Sequence, residues 1–102
     1  MPHPKPPLEA GLKLSWKRAA LRDREHIMEF IARDKPLAAI AWDERLEQSA
    51  EHLMEHPRMG RVGRVPRTRE LVVHPNYILV YREAAGKVEI LRVLHAAQKW
   101  PP

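Results

Sequence analysis

The sequence predicts a single α+β domain, in which an antiparallel helix hairpin packs on a mostly antiparallel sheet of three to four strands. Two stretches with helical hydrophobic spacing occupy the first half of the chain. Apolar strands separated by turn residues fill the second half. A length of 102 residues allows one modest core. Because the helices and the sheet each have an apolar face, they can only bury these faces against each other.

A polar tail and a short strand begin the chain. Residues 1–11 include four prolines and show no hydrophobic periodicity, so we expect a disordered tail, with the folded domain covering 12–102. Ser15 is expected to cap the helix that follows. Apolar residues alternate with polar ones after the tail, as in a half-buried strand; they are Leu12, Leu14 and Trp16.

Two amphipathic helices come next. The first is predicted over residues 17–33. Asp34 and Pro36 indicate a stop and a new start, because aspartate caps exposed amides and proline is tolerated in a first turn. The second helix is expected to run to about His56, since a proline follows, and so short a turn makes the pair antiparallel. The predicted buried positions are Ala20, Leu21, Ile27, Met28 and Ile31 in the first helix and Trp42, Leu46, Ala50 and Leu53 in the second.

Three further strands complete the predicted sheet. They cover residues 68–73, 77–82 and 88–94 and are joined by turns at 74–76 and 84–87. The middle strand is apolar nearly throughout, which favours a central or doubly covered position. Strict alternation in the last strand places Val88, Ile90, Arg92 and Leu94 on one face and Glu89, Leu91, Val93 and His95 on the other.

Positive charge is concentrated in the second half of the chain. The formal net charge is +5, but residues 57–102 contain nine basic residues and only three acids. Guanidinium groups make bidentate contacts with phosphates and carboxylates, so a cluster of them suits nucleic acid or an acidic protein segment. A solvated basic loop is the alternative. Five arginines lie in a stretch without acids, namely Arg58, Arg61, Arg64, Arg67 and Arg69.

Several classes of site are not indicated by the sequence. The chain has no cysteine, which excludes disulfides and thiolate chemistry and favours the cytoplasm. We expect no membrane association, because no apolar run approaches the ~20 residues of a membrane span and the first residues lack the apolar centre of a signal peptide. His52 and His56 fit the H-x-x-E-H pattern of zinc peptidases, but no third ligand is identifiable. We therefore predict no metal and no cofactor.

Three strings that follow the predicted hairpin resemble the toxins of the RelE/ParE superfamily: HPRMGRVGRVPRTRELVV, YILVYR and VEILRVLHAAQKWP. The resemblance extends from about Leu12 to Pro101. It implies the growth-inhibiting toxin of a type II toxin–antitoxin module of the plasmid stabilisation type. It also implies a partner, a small acidic DNA-binding antitoxin that neutralises the toxin in a hetero-oligomer. Members of the superfamily either cleave messenger RNA on the ribosome or poison DNA gyrase.

The first hypothesis is a metal-independent endoribonuclease, an mRNA interferase. Such cleavage needs an activated 2'-hydroxyl, a protonated leaving oxygen and a stabilised charge on phosphorus. If the strand ends converge, four residues supply these groups: His95, Arg92, Arg82 and Arg69. The expected contacts to nucleic acid or antitoxin are Arg58, Arg61, Arg64, Arg67 and Trp100. Trp100 is alternatively a cover for the sheet, and His95 is alternatively a strand end bonded to a loop.

Departures from the nuclease pattern support a second hypothesis, a gyrase-binding toxin without catalytic residues. The nuclease branch resembled here typically has arginine where this chain has Ile78, and a basic residue near the position of Gln98. It often has a tyrosine beyond that position, whereas no tyrosine follows Tyr81. A third hypothesis is a non-toxic nucleic-acid-binding module that is kept for operon regulation.

Overall fold

A computed structural model describes residues 12–74 and 76–102, so the tail proposed for residues 1–11 lies outside the described part. Two helices pack on one face of a five-stranded sheet with the order β1-β5-β4-β3-β2. The elements are β1 (Lys13–Trp16), α1 (Arg18–Ala32), α2 (Pro36–His52), β2 (Arg61–Val62), β3 (Arg69–His74), β4 (Tyr77–Ala84) and β5 (Lys87–His95). The predicted α+β class is confirmed, with one more strand than expected.

The sheet is mixed because its first and last strands pair in parallel. β1 lies beside β5 in the same direction, whereas β2 with β3, β3 with β4, and β4 with β5 are antiparallel. A parallel pair needs a long crossover, and the helices with the remaining strands form it here. The strand that the sequence did not reveal is β2, whose two residues are too few to show an alternating pattern.

The helices match their predicted spans at three of four ends. α2 ends at His52 rather than near His56, because Leu53 and Met54 bond three residues back and tighten the last turn. Lys17 and Lys35 occupy the N-cap positions, and neither helix has a side-chain cap. The predicted capping by Ser15 and Asp34 is therefore wrong.

The helix hairpin is held by an ion-pair cluster as well as by apolar contact. Arg24 of α1 binds Asp43 and Glu47 of α2, with nitrogen–oxygen distances of 2.6 and 2.8 Å. The hydrogen bond to Asp43 raises the pKa of Arg24 against the opposing effect of burial. The guanidinium also lies 4.7 Å from the centre of the Trp16 ring, so it connects the hairpin to β1.

The main core fills the space between the helices and the sheet. All four core residues predicted for the second helix are buried in it, including Leu53, which directly follows the last residue of α2. In α1, Ala20 is fully buried but Leu21 is 48% exposed, because adjacent helical residues point about 100° apart. The buried members are Ala20, Trp42, Leu46, Ala50, Leu53, Tyr77, Leu79, Tyr81, Val88, Ile90 and Val93.

A β-bulge reverses the expected faces of the second half of β5. Val80 pairs with Arg92, whereas its neighbour Tyr81 pairs with Ile90, so Leu91 is an extra residue on β5. The alternation of side chains therefore changes phase at this point.

The phase change creates a small second cluster on the face of the sheet away from the helices, which we call the outer face. Val93 joins the main core, while Leu94 lies on the outer face with Ile78 and Val80. The prediction that Leu94 shares a face with Val88 is therefore wrong. Within the described residues, neither helix combines the length and hydropathy needed to cross a bilayer.

Candidate functional site

Two of the arginines predicted to act together lie on opposite faces of the sheet. Arg69 of β3 is paired with Tyr81 on the helix side, and its Nη1 donates to the carbonyl of Gly60 at 2.8 Å. Arg82 follows Tyr81 on β4, so its side chain starts on the outer face. There it donates from Nε to Glu89 Oε1 at 2.7 Å.

Arg92 is engaged by a carboxylate of α1. Its Nε and Nη2 bind the two oxygens of Asp23 at 2.6 and 3.0 Å. This hydrogen bonding outweighs burial and raises the pKa of Arg92. The same carboxylate accepts the backbone N–H of Val93 at 2.9 Å, and the guanidinium lies 5.4 Å from the Trp100 ring. Arg92 thus joins α1 to β5 beyond the end of β1.

His95 ends β5 on the helix side of the sheet. It is paired with Tyr77, and the two rings meet edge to face with centroids 5.4 Å apart. Its Nδ1 accepts the N–H of Ala97 at 3.1 Å, which is the loop contact considered as an alternative to catalysis. A cavity of about 320 Å³ opens beside it, lined also by Asp23, His26, Ile27, Phe30, Val93 and Gln98.

The structure does not bring the four predicted catalytic residues to one surface. Tyr77, the partner of His95, and Arg82 are five positions apart on β4, which is about 17 Å along a strand. The side chains of Arg69 and Arg82 leave opposite faces of the sheet but border one cleft, whereas His95 lines a different cavity. Arg92 is connected to the His95 cavity through Asp23. The predicted convergence of the strand ends therefore does not occur.

We call the basic segment 57–68 the arginine loop. Two of its arginines bind one buried carboxylate. Glu70 is only 2% exposed. Arg61 and Arg64 donate to it at 3.2 and 3.1 Å, and the Arg64 backbone N–H adds a contact at 3.0 Å. Burial disfavours the charged form of Glu70, but these donors hold its pKa below the ordinary value. Arg61 and Arg64 therefore stabilise the loop.

The other two arginines of this loop face open space. Among residues 12–74 and 76–102, no carboxylate lies within ion-pair distance of Arg58 or Arg67. Arg67 has a φ of 67°, a left-handed conformation that is unfavourable for residues with a Cβ. Both line a cleft of about 440 Å³, which we call the arginine cleft, together with Pro57, Val62, Thr68, Arg69, Tyr81, Arg82 and Glu83.

Tyr81 anchors the start of the arginine loop. Its hydroxyl donates to the carbonyl of Pro57 at 2.7 Å and accepts the N–H of Gly60 at 2.9 Å. Burial raises the pKa of this hydroxyl. A Cβ on Gly60 would lie 2.8 Å from the Tyr81 ring and 2.9 Å from the Glu70 carbonyl, so the contact needs glycine. The apolar pattern of β4 predicts a buried Tyr81 but contains no sign of this role.

The outer face carries a second clamped carboxylate and an apolar patch. Glu89 is bound by Arg82 and by Lys17 at 2.7 and 3.3 Å, and the hydrogen bond from Arg82 lowers its pKa despite burial. Trp100 packs on the cluster that contains Ile78. This is the sheet-covering alternative considered for Trp100, and it makes the outer face apolar where the nuclease pattern has an arginine.

The H-x-x-E-H string does not lie on one helix. α2 ends at His52, and His56 belongs to the connection that follows. In the part of the chain that the structure describes, no group of three or more His, Cys, Asp or Glu side chains is placed to hold a metal ion.

Known proteins resemble this chain over nearly its full length. The profile of the family described as ParE toxin of type II toxin-antitoxin system, parDE, matches residues 14–100. The Sinorhizobium fredii protein named "Putative toxin Y4kP" is 41% identical over 90 residues, covering 87% of this chain and 93% of the relative. Toxin RelE2 of Caulobacter vibrioides is 41% identical over 83 residues, covering 81% of this chain and 93% of that protein.

A solved structure agrees in fold. The chromosomal ParDE toxin–antitoxin system from P. aeruginosa superimposes with a TM-score of 0.75 at 22% identity, covering 82% of this chain and 95% of the matched one. The family profile and the two relatives confirm the superfamily that the sequence strings indicate. The chain belongs to the ParE toxin family of the RelE/ParE superfamily and is the toxin of a type II toxin–antitoxin system.

Proposed function

We propose that this toxin arrests growth by binding DNA gyrase and that it cleaves no RNA itself. The observation that carries the proposal is the separation of His95 from Arg69 and Arg82, which border a different opening at the other end of β4. General acid–base cleavage requires its groups within hydrogen-bond reach of one phosphate. Groups about 17 Å apart along a strand do not meet that requirement.

The existing contacts of these arginines also favour a binding toxin. Arg82 and Arg92 each neutralise a carboxylate of the fold, Glu89 and Asp23, at 2.7 and 2.6 Å. Freeing Arg92 for a phosphate would remove the guanidinium from Asp23, and freeing Arg82 would leave the nearly buried Glu89 with Lys17 alone. Such losses are costly where the carboxylate is buried. Gyrase is the target that the ParE branch implies, and the match to the ParE family over residues 14–100 supports it.

A cytoplasmic location and a neutralising antitoxin belong to the same proposal. Gyrase acts on the chromosome in the bacterial cytoplasm, so the toxin has to act there. The solved ParDE system contains a toxin of this fold within a toxin–antitoxin system. We infer that this chain likewise forms a hetero-oligomer with a small acidic DNA-binding antitoxin.

A gyrase supercoiling assay with the purified toxin tests this function. We expect stoichiometric toxin to inhibit supercoiling, and the variant His95→Gln to inhibit equally, because the proposal gives His95 no catalytic role. Transcripts should keep their normal 5' ends during growth arrest. Uninhibited gyrase at stoichiometric toxin would disprove the proposal.

One observation favours messenger RNA cleavage as a second candidate. His95 lines a cavity together with Asp23 and His26, which places three titratable groups around one opening. For this function we expect truncated transcripts with defined 5' ends after induction of the toxin. The variant His95→Gln should no longer produce these truncated transcripts. If the unmodified toxin also fails to inhibit gyrase, messenger RNA is its target.

A further inference from the structure

The arginine loop combines two kinds of arginine that are indistinguishable in the sequence. Arg61 and Arg64 are turned to Glu70, whereas Arg58 and Arg67 line the arginine cleft without a carboxylate partner among the described residues. We infer that the arginine cleft binds an acidic segment of the antitoxin, with carboxylates at Arg58 and Arg67. The inference rests on the antitoxin partner proposed above.

The positive charge of the cleft favours an anionic partner. Of the described residues that line it, four are arginines and one, Glu83, is acidic. Arg69 and Arg82 already have partners in Gly60 and Glu89, so Arg58 and Arg67 hold the unused donors. A carboxylate bound between two such guanidiniums receives charge-assisted hydrogen bonds, which are the strongest that a surface cleft offers.

The apolar rim favours a peptide over a nucleic acid. A groove of about 790 Å³, lined by His56, Pro57, Arg58, Met59 and Glu83, shares three of these residues with the cleft. Met59 is 46% exposed and Val62 is 78% exposed, so aliphatic surface borders the arginines. Sites for single-stranded nucleic acid usually add an exposed aromatic ring for stacking. Among the described residues that line the cleft, the one aromatic ring is that of Tyr81, which is fully buried.

The loop holds these arginines in a fixed position before a partner arrives. The left-handed backbone at Arg67 is enclosed by two contacts: Thr68 Oγ1 donates to the Val65 carbonyl at 2.7 Å, and Gly63 N–H donates to the Thr68 carbonyl at 2.8 Å. Tyr81 fixes the other end of the loop. A preorganised cleft loses less conformational entropy on binding.

A binding experiment with the cognate antitoxin, the product of the neighbouring reading frame, tests the inference. We expect the double variant Arg58→Ala/Arg67→Gly to bind purified antitoxin about a hundredfold more weakly, about tenfold for each lost charge-assisted contact. The glycine avoids strain at position 67. A matched control is Arg18→Ala/Arg22→Ala on α1, which removes two exposed arginines that form no ion pair with any residue the structure describes. It should leave the dissociation constant unchanged.

Salt dependence and nucleic acid probes separate the alternatives. Raised NaCl should weaken antitoxin binding by the unmodified toxin more than by the double variant. If the double variant binds antitoxin normally, the inference is wrong. If it binds antitoxin normally but loses affinity for a short DNA duplex or a single-stranded RNA, the cleft is a nucleic acid site. Gyrase inhibition is measured on the unmodified toxin, so a failure of the proposed function would leave these binding results standing.

Discussion

At the scale of single residues, the placement of one hydroxyl decides the shape of the arginine loop. Tyr81 is buried in the core, yet its hydroxyl bonds two backbone groups of the loop, at Pro57 and Gly60. Buried donors and acceptors that lose a partner cost more than the bond itself contributes. The loop conformation therefore depends on an oxygen atom that belongs to β4.

Replacing Tyr81 by phenylalanine should destabilise the protein. The variant keeps the ring but leaves the Gly60 N–H and the Pro57 carbonyl without their partner, and we expect a loss of about 1–3 kcal/mol in the free energy of unfolding. Urea unfolding followed by circular dichroism measures this. A loss of less than about 0.5 kcal/mol, typical of neutral surface changes, would contradict it.

The backbone of Arg67 makes a second prediction at this scale. Because its φ is 67°, glycine should be tolerated better than alanine, in reverse of the usual order. We expect Arg67→Gly to exceed Arg67→Ala in unfolding free energy by about 1 kcal/mol. Parallel urea titrations of the two variants measure this difference. Equal midpoints would contradict the prediction, because they would show that alanine causes no strain at position 67.

The sequence shows which residues are charged but not which contacts their side chains make. Five arginines between positions 58 and 69 indicate a binding surface. Their division into two that stabilise the loop and two that line the cleft depends on Glu70, which follows the stretch and is buried by β3 pairing. That division is a property of the tertiary structure, and no local pattern reports it.

At the scale of elements, one carboxylate on α1 docks the helix to β5. Asp23 binds the Arg92 guanidinium through both oxygens and also accepts the Val93 N–H, where β5 has extended past its parallel partner β1. Asp23 therefore supplies the hydrogen-bond acceptor for a backbone N–H at the edge of β5, which would otherwise need another strand or water.

Removing this carboxylate should loosen the contact between helix and sheet. We expect Asp23→Ala to lower the unfolding free energy by about 2–3 kcal/mol, because it leaves a partly buried guanidinium and an edge N–H unpaired. Asp34→Ala is the matched control, since Asp34 is exposed and lies between the helices. Comparable losses in both variants, measured by thermal unfolding, would refute the docking role.

The elements that the sequence misplaces have local physical causes. Leu91 is inserted as a bulge in a strand whose apolar residues fit unbroken alternation equally well, so the phase change at Arg92 is invisible without the β4 partner. β2 exists only because Arg61 and Val62 find partners on β3. The long elements were predictable because their hydrophobic periods extend over several turns or pairs.

At the scale of the whole molecule, two nearly buried carboxylates are each held by two cations. Glu70 is bound by Arg61 and Arg64, and Glu89 by Lys17 and Arg82. The pKa of each carboxylate is lower in the folded protein than its ordinary value of 4.5. Folding therefore favours the deprotonated forms, and their contribution to stability is complete only above that value.

Acid should weaken the fold through these two groups. As the pH falls below about 4.5, the unfolded chain takes up protons first, and the unfolding free energy decreases until the folded carboxylates are protonated too. We expect Glu70→Gln/Glu89→Gln to be less stable at neutral pH and to lose less stability in acid. Urea titrations between pH 7 and pH 3 test this, with exposed Glu83→Gln as the control. Parallel pH profiles for the double variant and the wild type would contradict it.

The family was accessible from the sequence, whereas the arrangement of its candidate site was not. Three strings in order indicated the superfamily, and the match over residues 14–100 confirms it. The four candidate catalytic residues all lie in or beside the predicted strands. Their positions in the sequence do not show on which face of the sheet, or at which end of a strand, each side chain lies. The bulge at Leu91 and the lengths of β3 and β4 decide both.

The parallel pairing of β1 with β5 has a consequence for how the toxin is made. Lys13 and Lys87 are partners although 74 positions separate them, and β5 follows every other strand in the chain. In a nascent chain on the ribosome, β1 has no strand to pair with until residues 87–95 have emerged. Until then Asp23 also lacks the Val93 N–H that it accepts in the folded protein. Such long-range closure is entropically slow and comes late in folding. Completion of the toxin fold is thus tied to the synthesis of its final strand.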